Sequence, residues 1–272
     1  PREDLPRVDI HPALCIFSPS GYIGTMDRTS GQPSVEHIIS VHGGAYDRAL
    51  ARIIDHTLLR PDGSVAEIER LCREAAAFGF ASVCVNPSHV IRCFSLLGGS
   101  GVTICTVIGF PLGATSSQAK RAEAQQALSD GARELDMVIN VGMLKSGIEE
   151  YVEADIVCVT SVAKSAGALT KVIIETGLLT DDEKVRACIL AARGGAEFVK
   201  TCTGFGVGRA TTGDVALMRR TVGSAMGVKA SGGVRSREDA LAMVASGANR
   251  IGASASVKIV TGGSTAEVKG TS

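Results

Sequence analysis

GGAEFVKTC, residues 194–202, carries the pattern on which the fold turns: a helix-closing glycine, a few small or polar residues, then a short apolar run ending in a polar side chain. The same phrase returns as FGFASVCV (78–85), DGARELDMVI (130–139) and SGANRIGAS (246–254). Its glycines, Gly79, Gly131, Gly195 and Gly247, are spaced 52, 64 and 52 residues apart. One strand with its crossover helix takes roughly 30 residues, so each interval holds about two βα units. Glycine is expected where a helix ends in the left-handed conformation before a strand.

Outward from these phrases, the helices announce their starts. Ser64 with Glu67 and Thr180 with Glu183 fit capping boxes, and Ser236 with Asp239 is a weaker version. The intervening apolar runs predict strands at 51–55, 81–86, 102–109, 134–140, 170–176, 198–202, 226–231 and 249–253. These runs are rich in Val and Ile and do not alternate with polar residues, which suits parallel strands covered on the outside. Eight alternating units close most simply as an α/β fold of the (β/α)8 TIM-barrel type, with an open doubly wound sheet as the alternative. The barrel is expected over 44–262 as a single domain. Residues 1–43, with Pro, Ser, Gly and His and weak periodicity, read as an irregular N-terminal extension, and 263–272 as a C-terminal tail.

The chain of 272 residues is 45% hydrophobic, so it can bury a large core without disulfide or metal staples. Lys plus Arg equals Asp plus Glu at 28 each, which leaves no basic field to draw in nucleic acid or an anionic membrane. None of the eight cysteines forms a CxxC pair, and most sit inside apolar runs, as in a reducing cytoplasm. No apolar run approaches the roughly 20 residues of a membrane span. Arg2, Glu3, Asp4 and Arg7 do not make a signal-peptide pattern.

In such barrels chemistry sits at the C-terminal ends of the strands. The strand readings put Asp55 at the end of the first strand, Cys84 and Asn86 at the second, and Asp136 and Asn140 at the fourth. Glu175, Lys200 and Lys229 end the fifth, sixth and seventh, and Gly252 and Ser254 follow from the eighth. Lys200 in EFVKTCTG (197–204) and Lys229 in GVKASGG (227–233) are the sharpest signal, because lysine is seldom buried in an apolar strand without a purpose. On neighbouring strands their ammonium groups should approach, and like charges in a desolvated pocket favour a neutral amine. A neutral lysine is the nucleophile of Schiff-base chemistry. The competing reading is plain ion pairing with Asp136 or Glu175. Asp136 is either a proton relay or a neutralising carboxylate, Asp55 either a site residue or a loop anchor, and Cys84 looks like packing.

Small residues gather after the last three strands, in TGFGVG (203–208), SGGVR (231–235) and GASAS (252–256). Backbone N–H groups in such loops are a recurrent phosphate site in barrels. Ser231, Ser254 and Arg235 can add hydrogen bonds. All five histidines precede residue 90 and form no HxH or HExxH cluster, so a zinc mechanism is not expected. No GxSxG elbow and no dinucleotide-type GxGxxG appear, so neither a serine hydrolase nor a nicotinamide enzyme is supported.

IDHTLL (54–59), SVCVNP (82–87), VIGFPLGA (107–114), ELDMVINVG (134–142), KVIIETGLL (171–179), FVKTCTGFG (198–206), VKASGGVR (228–235) and RIGASAS (250–256) together resemble the blocks of the deoxyribose-phosphate aldolase family, in the family's order. The resemblance implies a class I aldolase that needs no metal or organic cofactor and acts on a phosphosugar, as a homodimer or homotetramer. It implies that Lys200 is the Schiff-base lysine, that Lys229 is the second lysine, which depresses its pKa, and that Asp136 is the acid of the relay. Gly204, Gly232, Gly233, Gly252 and Ser254 would form the phosphate loops, with Arg235 assisting, and Asp55 and Cys84 would line the pocket. The chain departs from some members in carrying Phe205 where they have lysine, and in ending TAEVKGTS (265–272) without tyrosine.

Overall fold

The computed structural model describes residues 38–40 and 45–262, so most of the 1–43 extension and all of the 263–272 tail lie outside the described residues. A single helical turn α1 (Arg48–Ala51) leads into β1 (Ile54–Leu58) and α2 (Val65–Phe78). The following units are β2 (Ser82–Val85) with α3 (Val90–Leu97), and β3 (Thr103–Ile108) with α4 (Ser117–Ser129). Next come β4 (Glu134–Val138), a short α5 (Val141–Lys145), α6 (Glu149–Ser165), β5 (Leu169–Ile173) and α7 (Asp181–Arg193). The chain then runs through β6 (Phe198–Lys200), α8 (Thr212–Val222), β7 (Gly227–Ser231), α9 (Arg237–Ala245), β8 (Arg250–Ala253) and α10 (Ser256–Thr261). Each strand pairs in parallel with the next, and β8 pairs with β1, so the sheet is a closed barrel and not an open one.

The local signals act as expected. All three capping boxes form, at Ser64, Thr180 and Ser236. Gly79, Gly131, Gly195 and Gly247 all take positive φ. At Gly131 a β-carbon would also stand 2.4 Å from the Phe94 ring, so the α4–β4 turn tolerates no side chain there.

The first strand departs from expectation. The Asp47 side chain accepts a hydrogen bond from the Leu50 N–H at 2.9 Å and caps α1, and Ile53 N–H bonds back to Leu50 O. The strand therefore begins at Ile54, and Asp55 is its second residue instead of its last. Asp136 and Lys229 likewise lie mid-strand, which sets the polar cluster inside the barrel and not on its rim.

Alternation sorts the strand residues. Ile54, Val83, Leu135, Val199, Val228 and Ile251 face the helices and join the main hydrophobic core. Their neighbours Asp55, Cys84, Asp136, Lys200, Lys229 and Gly252 share the opposite, inner face. One charged pair sits outside this interior: buried Lys120 on α4 bonds Asp155 of α6 at 2.5 Å and the carbonyl of Val138 at 2.8 Å, tying two helices to the end of β4.

Candidate active site

Parallel register sets Lys200 beside Lys229 and Asp136 beside Lys171. The inner face thereby collects four cations and three carboxylates. Asp136 is the hub. Its Oδ2 accepts from Lys200 Nζ at 2.7 Å and from Lys229 Nζ at 2.6 Å, and its Oδ1 accepts from Lys171 Nζ at 2.9 Å. Lys229 also pairs with Asp55, whose Oδ1 takes a bond from Ser82 Oγ at 2.7 Å. Below them Lys171 reaches Glu134 at 2.5 Å and Arg250 reaches Glu134 at 2.6 Å.

The two lysines thus meet as expected, but through a carboxylate, and the ion pairing with Asp136 that the sequence allowed is present. Glu175, the other suggested partner, is engaged elsewhere, with Thr203. Burial opposes the charge on Lys229, but Asp136 and Asp55 outweigh it and hold Lys229 above the ordinary lysine range. Lys171 is raised well above its usual value for the same reason, with Asp136 the leading partner. For Asp136, burial favours the neutral form, yet Lys171, Lys200 and Lys229 together keep its carboxyl well below the usual range.

The partners are unequally shared. Lys171 and Lys229 each pair with more than one carboxylate, whereas Lys200 pairs with Asp136 alone among the described residues. Cations outnumber carboxylates by one, and Lys200 holds the fewest ion pairs of the three lysines. It is also the lysine of the set that keeps some solvent contact, 3% against 0% for Lys171 and Lys229.

Beside the ion cluster the pocket is apolar. Leu59, Cys84, Cys105 and Val107 form a small buried cluster against which Phe110 packs. Phe205 meets Phe110 edge-on at 5.3 Å between ring centroids. A hydrogen bond from Cys105, helped by Lys229 and Lys200 against burial and Asp136, draws the Cys84 thiol below the usual range. The sequence around Cys84 held no sign of this, because both the thiol and the lysines come from other strands. Two groupings, Cys84 with Cys105 and Asp136, and Asp55 with Cys105 and Glu134, hold ligand-type atoms within 4.8 Å of one another. Their carboxylate oxygens already face ammonium groups, a donor set that suits ion pairs better than a metal.

The glycine loops come together over β6 to β8. Gly204, Gly232 and Gly233 all have positive φ, and a β-carbon on Gly204 would lie 3.8 Å from Gly232 Cα. At Gly252 a β-carbon would stand 2.9 Å from Ser231 Cβ and 3.0 Å from Lys229 Cε, so glycine keeps space open beside the Lys229 side chain. Ser231 Oγ is committed to Cys202 O at 2.6 Å. Arg235 is exposed at the rim, and exposed Ser254 lines a groove of about 360 Å³ with Thr57, Arg60 and Lys258 on the β8–β1 side.

Sequence reading missed Lys171, Glu134, Arg250 and Arg209. Lys171 gave the same signal as Lys229, a lysine inside an apolar strand, and was readable. Glu134 and Arg250 open their strands and resemble ordinary boundary charges. Arg209 packs its side chain over Gly233, with Cβ 3.0 Å from where a β-carbon would stand, a neighbourhood that only the loop geometry creates.

The cluster sets an acid limit on stability. Burial pushes the Asp55 carboxyl up, but Lys229, Lys171 and Arg250 bring it from 3.8 down to about 2. A lowered folded pKa means that this stabilisation is complete above about pH 4 and is lost as the pH falls through about 2. Equilibrium unfolding followed by circular dichroism should show stability falling across that window. Asp55→Asn, which carries no titrating carboxyl, should flatten the fall while lowering stability at neutral pH.

The model of the DeoC/LacD family of aldolases matches residues 49–265. A deoxyribose-phosphate aldolase of Clostridium perfringens is 58% identical over 213 residues, 78% of this chain and 95% of that protein. Deoxyribose-phosphate aldolase 1 of Bacillus licheniformis is 59% identical over 215 residues, 79% of this chain and 96% of that protein. Among solved structures, the deoxyribose phosphate aldolase of Aeropyrum pernix, described as a tetramer, superposes with a TM-score of 0.74 at 36% identity, covering 84% of this chain and 97% of that one. A closed parallel barrel, lysines converging on one inner carboxylate, and relatives matched over nearly their whole length lead to one conclusion: this chain belongs to the DeoC/LacD family of aldolases.

Proposed function

We propose that the protein cleaves 2-deoxy-D-ribose 5-phosphate reversibly to D-glyceraldehyde 3-phosphate and acetaldehyde through a Schiff base on Lys200, in the breakdown of deoxyribose phosphates. The observation that carries this reading is the single oxygen, Asp136 Oδ2, shared by Lys200 and Lys229 beneath the glycine loops. It supplies a nucleophilic amine, a counter-charge and an acid within one hydrogen-bond radius.

Lys200, as the free amine, attacks C1 of the open-chain aldehyde. The carbinolamine loses water as Lys229, held charged at neutral pH, donates a proton to the leaving hydroxyl. The iminium carries a positive charge where the Lys200 ammonium stood, and the ionised Asp136 is already placed to stabilise it. The iminium takes up the electron pair of the C2–C3 bond as the C3 hydroxyl yields its proton to the Lys229 amine left by the dehydration, and glyceraldehyde 3-phosphate departs. Protonation of the enamine at carbon and hydrolysis then release acetaldehyde and restore the amine. Asp136 in this scheme is an electrostatic partner first, and the relay suggested by sequence runs through Lys229. The phosphate, held at Gly204, Gly232 and Gly233 with Arg235 and Arg209 near the rim, fixes the chain far from the breaking bond, and such positioning contributes to rate as well as affinity.

The assembly is proposed to be a homodimer or homotetramer, and the location cytoplasmic. Seven cysteines among the described residues are free, as a reducing compartment would keep them. Among those residues no helix is long and apolar enough to cross a membrane. The test is a coupled assay for triose phosphate release. Deoxyribose 5-phosphate should be cleaved at least about 100-fold more efficiently than fructose phosphates, a factor within the reach of a site shaped for one chain. Preference for a fructose phosphate would overturn the substrate assignment.

A further inference from the structure

We propose that Glu175 is a positioning residue for the phosphate end of the substrate, acting through the loop that follows the Schiff-base lysine; the substrate side of this inference rests on the functional reading above. Among the described residues Glu175 is the one non-glycine residue with positive φ, at 56°. It is also buried, with 4% of its surface exposed. A side chain in the left-handed region is strained, and such strain persists where the surroundings hold it and gathers at functional sites.

The surroundings here are the β6–α8 loop. The Glu175 carboxylate accepts from Thr203 N–H at 3.2 Å and from Thr203 Oγ at 2.5 Å. Thr203 Oγ in turn accepts from Phe205 N–H at 3.1 Å. The backbone on both sides of Gly204 is thus held by one buried carboxylate. The contact continues along the segment after Glu175. Thr176 N–H donates to Thr201 O at 3.1 Å, and a β-carbon on Gly177 would stand 2.0 Å from Val207 O. Residues 175–177 are therefore laid along 201–208, and Gly204 is presented toward Gly232. A carboxylate aimed at a phosphate would repel it. This one is engaged by both the N–H and the hydroxyl of Thr203, so it acts as a brace and not as a ligand.

Glu175→Met removes both acceptor oxygens at similar volume. The expected result is a rise of about tenfold in KM for deoxyribose 5-phosphate and in the inhibition constant of inorganic phosphate, with kcat changed by less than about threefold. Borohydride trapping of acetaldehyde on Lys200, which needs no phosphate contact, should stay within about twofold of the parent protein. Glu175→Gln keeps an acceptor oxygen and should restore most of the affinity. Gly177→Ala pushes the same loop from the other side and should reproduce the signature without touching the carboxylate; it decides the matter if Glu175→Met does not fold. A uniform loss of kcat, trapping and thermal stability at constant KM would overturn the proposal, as would unchanged phosphate affinity in both variants. A parent protein inactive on deoxyribose 5-phosphate would sink the functional reading instead, and phosphate affinity would still test the brace.

Discussion

Lys200→Leu is expected to abolish turnover, by at least ~10⁴-fold, while leaving the barrel folded and at least as stable as before. The loss is that of a covalent nucleophile, for which no neighbouring group substitutes. Lys229 and Lys171, each paired with more than one carboxylate and fully buried, are not placed to stand as the attacking amine in its stead. The retained stability follows from the charge count. Removing Lys200 leaves three cations facing three carboxylates, and leucine brings no unpaired charge into the barrel. Steady-state assay together with thermal unfolding checks both halves. Residual activity within a hundredfold of the parent would refute the assignment, and a collapsed fold would refute the electrostatic argument.

Asp136→Asn should fail differently. The substitution is nearly isosteric, yet it leaves three buried lysines and the partly buried Arg250 facing two carboxylates, with an amide against the two ammonium groups at 2.6 and 2.7 Å. Breaking a buried ion pair from one side costs about 3–5 kcal/mol. For a domain of this size that lowers the melting temperature by roughly 10 °C. Activity should fall by about 10³-fold, because the iminium loses its fixed counter-charge. The pair of variants separates two roles: loss of Lys200 costs chemistry alone, and loss of Asp136 costs chemistry and stability together. An Asp136→Asn protein with parental melting temperature and activity would show that the carboxylate is neither hub nor catalyst.

Much of this was legible in the chain. The repeated glycine-to-strand phrase fixed the unit count, and the capping boxes at Ser64, Thr180 and Ser236 marked where helices begin, because both signals are local. Lys200, Lys229 and Asp136 stood out as charges inside apolar runs. Less was legible where the physics is non-local. That Asp136 lies between the lysines, that Cys105 lowers the Cys84 thiol, and that Arg209 lies over Gly233 all depend on neighbours drawn from other strands. The start of β1 was misplaced because the Asp47 cap closes a helical turn too short to carry periodicity. Lys171 is the instructive omission: it lies in KVIIETGLL as plainly as Lys229 lies in VKASGGVR, and it completes the cluster in which Lys200 has the fewest carboxylate partners.

Incubation with acetaldehyde and sodium borohydride, followed by peptide mass spectrometry, tests the central claim most directly. The account predicts a single ethylated lysine, Lys200, with loss of activity in proportion to labelling and protection by deoxyribose 5-phosphate. An ethyl group on Lys229 or Lys171 with Lys200 untouched, or no adduct at all, would contradict it.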